Sequence, residues 1–207
     1  MNDIAFSPSY TAFSGDQCLA TGAPSHVAGA ARAALDAQPG RSLLVFDDAT
    51  GRQVDLDLRG SPDEVVARLR VAEASPEAEV APAAPVPRGP GRPRLGVVAR
   101  EVTLLPRHWE WLSAQPGGAS VTLRKLVDAA KRENAWHDRV RSAQAACDAF
   151  MQTMAGNRPG YEEASRALYS GDAAAFREHI SGWPVDIRAH AARLALTAFE
   201  IEEPALA

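Results

Sequence analysis

The chain is short of cysteine, of long apolar runs and of paired histidines, and each shortage excludes a class of protein. Its two cysteines, Cys18 and Cys147, are too few for a disulfide framework and too far apart for a metal pair, so reduced thiols in a cytoplasmic, bacterial-type protein are expected. No apolar stretch approaches the ~18 residues that cross a bilayer, so no membrane partner is expected. Residues 1–13 carry Asp3 and lack a basic start and an apolar block, so no signal peptide is expected there. His26, His108, His137, His179 and His190 show no H-E-x-x-H or other ligand spacing, and each falls in a predicted helix as a surface or core-edge residue. No serine lies in a G-x-S-x-G elbow, and no glycine loop sits between a strand and a helix. No cofactor, metal site or catalytic residue is therefore expected, and there are no internal repeats.

What is present is an ordinary globular composition. Of 207 residues, 46% are hydrophobic and 23% charged, which excludes wholesale disorder. Charge is unevenly placed. Residues 1–85 carry a net −6, residues 86–141 a net +6 and residues 142–207 a net −4. A basic middle between acidic ends suits a polyanion or an acidic partner; it also suits simple neutralisation within one molecule.

Residues 1–72 read as a small α/β domain of order ββαββα. Residues 10–13 and 18–21 suit a hairpin around a turn at 14–17, and residues 26–37 suit a helix capped by Ser25. Residues 42–46 form a short apolar strand, and Asp47 to Gly51 a turn in which Gly51 takes positive φ. Residues 53–59 alternate, with Val54, Leu56 and Leu58 inward and Asp55 and Asp57 outward. Ser61-Pro62-Asp63-Glu64 is a helix start with a capping box.

Residues 73–95 hold Pro76, Pro82, Pro85, Pro87, Pro90 and Pro93 among Ala, Glu and Gly, and read as an extended linker with a basic end. Residues 96–134 follow as a strand over 98–105 and two helices, one opened by Pro106 and ended by Pro116-Gly117-Gly118, the next begun near Ser120. Residues 135–207 form a C-terminal helical region. Trp136, Val140, Ala143, Cys147, Phe150 and Met154 make its first stripe. Shorter helices follow over 161–170, stopped by Gly171, over 172–180, capped by Asp172, and over 185–200. The fold class is thus α+β.

Two stretches of the middle segment bear on nucleic acid. Arg88-Gly89-Pro90-Gly91-Arg92-Pro93-Arg94 contains a Gly-Arg-Pro-Arg core that resembles an AT-hook. A narrow extended backbone fits the minor groove, and Arg88, Arg92 and Arg94 would seek its negative potential at A·T tracts. Pro90 stands where a full hook carries arginine. The same stretch also describes a stiff basic linker that binds nothing.

Glu101-Val102-Thr103-Leu104-Leu105-Pro106, a Trp/Leu helix, Gly117-Gly118-Ala119-Ser120 and a Leu-rich helix with Arg124-Lys125 are similar to the ribbon-helix-helix regulators. That resemblance implies a homodimer whose paired strands enter the major groove of duplex DNA. It places Thr103 toward the bases, the Ala119 and Ser120 amides at a phosphate, and Arg100, Arg107, Arg124 and Lys125 along the backbone. Glu101 would also point outward, and Leu105 adds one apolar residue before Pro106. An ordinary helical hairpin is the alternative.

Elsewhere, Asp47 and Asp48 follow a buried strand, where carboxylates can hold a metal, although a hairpin turn accounts for them as well. Trp136, Phe150, Tyr169 and Trp183 are candidates for a ligand pocket or for plain core packing, and Trp183-Pro184 for the anchor of a helix corner. Over nearly its whole length, through Phe46–Arg52, Val54–Gly60 and Gly91–Trp109, the chain resembles a bacterial family classed as a domain of unknown function. That resemblance implies no activity. Three readings follow from the residues: a dimeric DNA-binding regulator; a non-catalytic interaction or ligand-sensing protein; and a metal-dependent enzyme using Asp47 and Asp48.

Overall fold

A computed structural model describes residues 9–38, 40, 42–74, 98 and 100–200. β1 (Tyr10–Ser14) and β2 (Gln17–Gly22) form a hairpin, followed by α1 (Pro24–Ala37), β3 (Leu43–Asp47), β4 (Gln53–Val54) and α2 (Pro62–Ala74). The strands make one antiparallel sheet of order β2-β1-β3-β4, so β1 is hydrogen-bonded on both edges. Side chains alternate across the sheet with period two. Ala12 and Val45 face Val27 and Ala31 of α1, whereas Phe13 and Phe46 face the C-terminal helices. Both faces of β1 are covered, which is why all its residues after Tyr10 are buried, the polar Thr11 and Ser14 among them.

β4 is shorter than the alternation over 53–59 predicts: it ends at Val54. Leu56 and Leu58 still pack on the α1 side. The backbone beyond leaves the ladder, and Arg68 donates Nη2 to the carbonyls of Asp57 and Arg59 at 2.8 Å each. α1 begins earlier than expected, with Pro24 in its first turn, so Ser25 lies buried inside the helix rather than at its cap. The start of α2 follows the expected capping box. Ser61 N–H donates to Glu64 Oε2 at 2.8 Å, and Glu64 N–H donates to Ser61 Oγ at 3.3 Å. Ser61→Ala is expected to lower stability by about 1 kcal/mol, read as a lower urea midpoint at unchanged slope.

α5 (Ala135–Ala155), α6 (Tyr161–Ser170), α7 (Ala173–His179), α8 (Val185–Leu194) and a 3-10 turn (Leu196–Phe199) complete this part of the fold. Only the second half of α5 is deeply buried, through Ala146, Cys147, Phe150, Met151 and Ala155; Trp136 and Val140 of the predicted stripe stay half-exposed. Gly171, at φ +74°, stops α6, and Asp172 caps α7 by accepting from the Ala174 and Ala175 amides at 3.1 and 2.9 Å. The predicted final helix over 185–200 is divided: α8 ends at Leu194 and the chain tightens into the 3-10 turn. Trp183 is buried at the corner before α8, its indole N–H donating to the Pro159 carbonyl at 2.9 Å.

Phe13 and Phe46 of the sheet share one core with Cys147, Phe150, Met151, Leu168, Phe176 and Ile187. Residues 1–78 and 136–207 therefore make one compact unit, and residues 79–135 a second. The second unit contains α3 (Pro106–Ala114) and α4 (Gly118–Glu133), joined by a tight turn in which Gly117 is left-handed at φ +90°. The strand expected over 98–105 is not formed: the described residues there are irregular. A strand needs a neighbouring edge to take its donors and acceptors, and the described residues of this unit offer none. Of the expected strand-helix-helix, the described residues form the two helices alone.

Candidate functional site

Of the residues picked from sequence for nucleic acid, Arg88, Arg92 and Arg94 lie outside the described residues. The others fall together in the second unit. Arg100, Thr103 and Arg107 are exposed at and before the start of α3, and Ala119 and Ser120 sit in the first turn of α4. Arg124 and Lys125 follow on the same helix, Arg124 donating Nε to the Ser120 carbonyl at 3.0 Å. The 100° step of an α-helix sorts α4 into two sides. Ala119, Leu123, Leu126, Val127 and Ala130 take one side, and Arg124, Lys125, Lys131 and Arg132 take the other. No residue of α4 is buried; Leu126 and Val127 are 48% and 57% exposed, beside exposed Trp109 and Trp111 on α3. α4 is therefore an amphipathic helix with a largely basic side and an apolar side that is exposed at Leu126, Val127 and Ala130 and half-buried at Ala119 and Leu123.

In the first unit Asp47 and Asp48 share no partner. Asp47 closes its own turn, accepting from the Ala49 amide at 2.8 Å and the Thr50 hydroxyl at 3.2 Å. Asp48 turns inward. Its Oδ1 accepts from Thr11 Oγ1 at 2.8 Å, and its Oδ2 from Ser9 Oγ at 2.7 Å and Arg193 Nη2 at 3.1 Å. The same Nη2 also donates to Thr11 Oγ1 at 3.0 Å and to His190 Nδ1 at 2.7 Å. His190 therefore presents a bare Nδ1 to arginine and carries its proton on Nε2, which lies 3.5 Å from Asp48 Oδ1 without hydrogen-bond geometry. The ring is wedged against Phe150 and Phe13, with centroids 4.4 and 5.5 Å away. Burial and the Arg193 cation push the imidazole pKa down to about 4, against the pull of Asp48. The side chains of His190 and Asp48 are 4% and 9% exposed, and Thr11 is fully buried, so a substrate has no access to them; Arg193 and half-buried Ser9 reach solvent. The cluster ties β1, the turn after β3 and α8 together.

Sequence reasoning places His190 at a surface or core edge, and the structure buries it. The available signal is its spacing with Ile187, Ala191 and Leu194, the inward face of α8. The aromatic candidates do not converge. Phe150 is in the core, Trp183 holds the helix corner, Tyr169 is exposed with its hydroxyl 3.4 Å from Asp148 Oδ2, and Trp136 stacks edge-on with His137. Among the described residues no three His, Cys, Asp or Glu side chains converge as a metal set, and no helix is long and apolar enough to cross a membrane.

Fold and site define a two-unit α+β protein: a four-stranded antiparallel sheet layered between helices, and a separate helical hairpin with a basic side. The chain belongs to the family described as "Uncharacterized protein conserved in bacteria (DUF2239)", whose model matches residues 9–195. No curated protein and no solved structure matches it.

Proposed function

We propose that the chain is a dimeric DNA-binding protein, regulatory in kind, that engages duplex phosphates through the basic side of α4. The division of α4 carries this reading. Arg124, Lys125, Lys131 and Arg132 stand on one side with Asp128 as the only anion among them, while the exposed part of the apolar side is available for a second copy. Arg88, Arg92 and Arg94 extend the same charge as a minor-groove arm with A·T preference, and Thr103 is the base reader. A non-catalytic interaction protein is the second reading, favoured by the exposure of Trp109, Trp111, Leu126 and Val127.

The test is an anisotropy titration of the whole chain against random and A·T-rich duplexes from low to moderate salt. Affinity is expected to fall steeply with salt, and the double variant Arg124→Ala/Lys125→Ala to flatten the logarithmic slope by about 2. No binding at tens of micromolar in low salt discards the DNA reading in favour of the interaction protein. A monomeric mass by light scattering discards the dimer.

A further inference from the structure

We propose that Asp48, His190 and Arg193 form an acid-operated latch between α8 and the sheet, in which a proton on His190 displaces Arg193 from Asp48. Arg193 Nη2 has two hydrogens and three acceptors within 3.1 Å: Thr11 Oγ1, Asp48 Oδ2 and His190 Nδ1. The contact with His190 at 2.7 Å exists only while Nδ1 is bare. A proton there turns an acceptor into a donor aimed at another donor, and sets two cations against one largely buried carboxylate. One cation must leave. His190 is held by Phe13 and Phe150, whereas the Arg193 side chain is already 42% exposed. Arg193 is therefore the group that goes, and the ring, with Nε2 3.5 Å from Asp48 Oδ1, takes its place as the counter-ion.

The charged groups at the ring are few. Its own helix presents Arg193, and the turn after β3 presents Asp48. β1 presents Thr11 and Phe13, which carry no charge. α5 presents Phe150 and, through its bond to the Ala191 carbonyl, the Cys147 thiol, whose titration burial pushes up to about 12. Both states of the latch are thus set by one proton on one ring. Departure of Arg193 also removes a link between α8 and Thr11 of the central strand, so acid loosens α8 where it lies on the sheet.

The direction with pH follows from linkage. The folded pKa, about 4, lies below the ~6.5 of an unfolded histidine, so the unfolded chain binds the proton first as pH falls. The contribution is fully present above about pH 6.5 and is lost between there and about pH 4. The part of the folding equilibrium owed to His190 should fall by about 30-fold from pH 8 to pH 5.

Imidazole NMR of the whole chain tests the latch. At pH 7 His190 is expected as the neutral Nε2–H tautomer, titrating well below the other histidines. Hydrogen exchange normalised to intrinsic rates should rise in residues 185–194 as it protonates, and not in residues 161–170. In Arg193→Gln the apparent pKa of His190 should rise by about one unit, because the competing cation is gone. An Nδ1–H tautomer at pH 7, a titration near 6.5, exchange in α8 that ignores the protonation, or an unmoved pKa in a folded Arg193→Gln overturns the proposal. If that variant does not fold, the wild-type tautomer and exchange decide it.

Discussion

Gly51→Ala is expected to be among the most destabilising single substitutions in this chain. Gly51 sits at φ +65° in the turn that joins β3 to β4, its amide donating to the Asp47 carbonyl at 2.7 Å. Alanine at such a φ costs about 1–2 kcal/mol on backbone grounds. The larger effect is the neighbour. A methyl built on Gly51 falls inside the contact radius of the Ala146 backbone carbonyl on α5, and a backbone cannot swing aside as a flexible side chain would. Separating the turn from α5 disturbs the contact between the sheet and Phe150, adding about 1–3 kcal/mol of overpacking. Gly171→Ala separates the two causes. Gly171 is also left-handed, at φ +74°, but nothing lies within 4 Å of its added methyl. Urea unfolding should show Gly171→Ala losing only the backbone cost and Gly51→Ala losing clearly more. Equal losses would mean that the approach to α5 does not matter.

The same turn shows what could be read from the sequence and what could not. Asp47 and Gly51 announce a turn by local chemistry alone, and the structure forms it with the Asp47 carboxylate accepting from the Ala49 amide. Ser61 and Glu64 announce a helix start in the same way. The order ββαββα was legible because each element is signalled within a few neighbouring residues. One feature of this half has a non-local cause: β1 owes its cover on the far face to helices from the other end of the chain. Pairing is also what the stretch over 98–105 lacks, although its residues have strand character.

The Asp48 cluster was illegible for the same reason. Thr11 and Arg193 lie 182 positions apart, and Asp48 and Arg193 lie 145 apart. Singly, Thr11 is a strand residue, Asp48 a turn residue and His190 one histidine of five on helices. Only the register of β1 against β3, which sets Thr11 opposite Phe46, and the packing of α8 on the sheet bring them together. The apolar side of α4, through Leu123, Leu126, Val127 and Ala130, was legible because a helix face is a local property.

Asp48→Ala carries the second large expected loss, and its size depends on who is left behind. Asp48 is the acceptor for Ser9, Thr11 and Arg193, and its removal ends three hydrogen bonds to a carboxylate, although half-buried Ser9 can turn to water and Thr11 Oγ1 keeps Thr21 Oγ1 at 3.1 Å. Breaking a buried charge pair costs about 3–5 kcal/mol when the surviving charge stays inside. Here Arg193 can turn into solvent, whereas His190, already neutral, needs no counter-ion. The expected loss is therefore toward the lower end, about 3 kcal/mol, and comes from the lost hydrogen bonds to the carboxylate. A double-mutant cycle with Arg193→Ala measures the ion pair itself. A coupling of about 1 kcal/mol is expected, within the range for residues in one polar network. Additive losses would show that Arg193 contributes through Thr11 and His190 and not through Asp48.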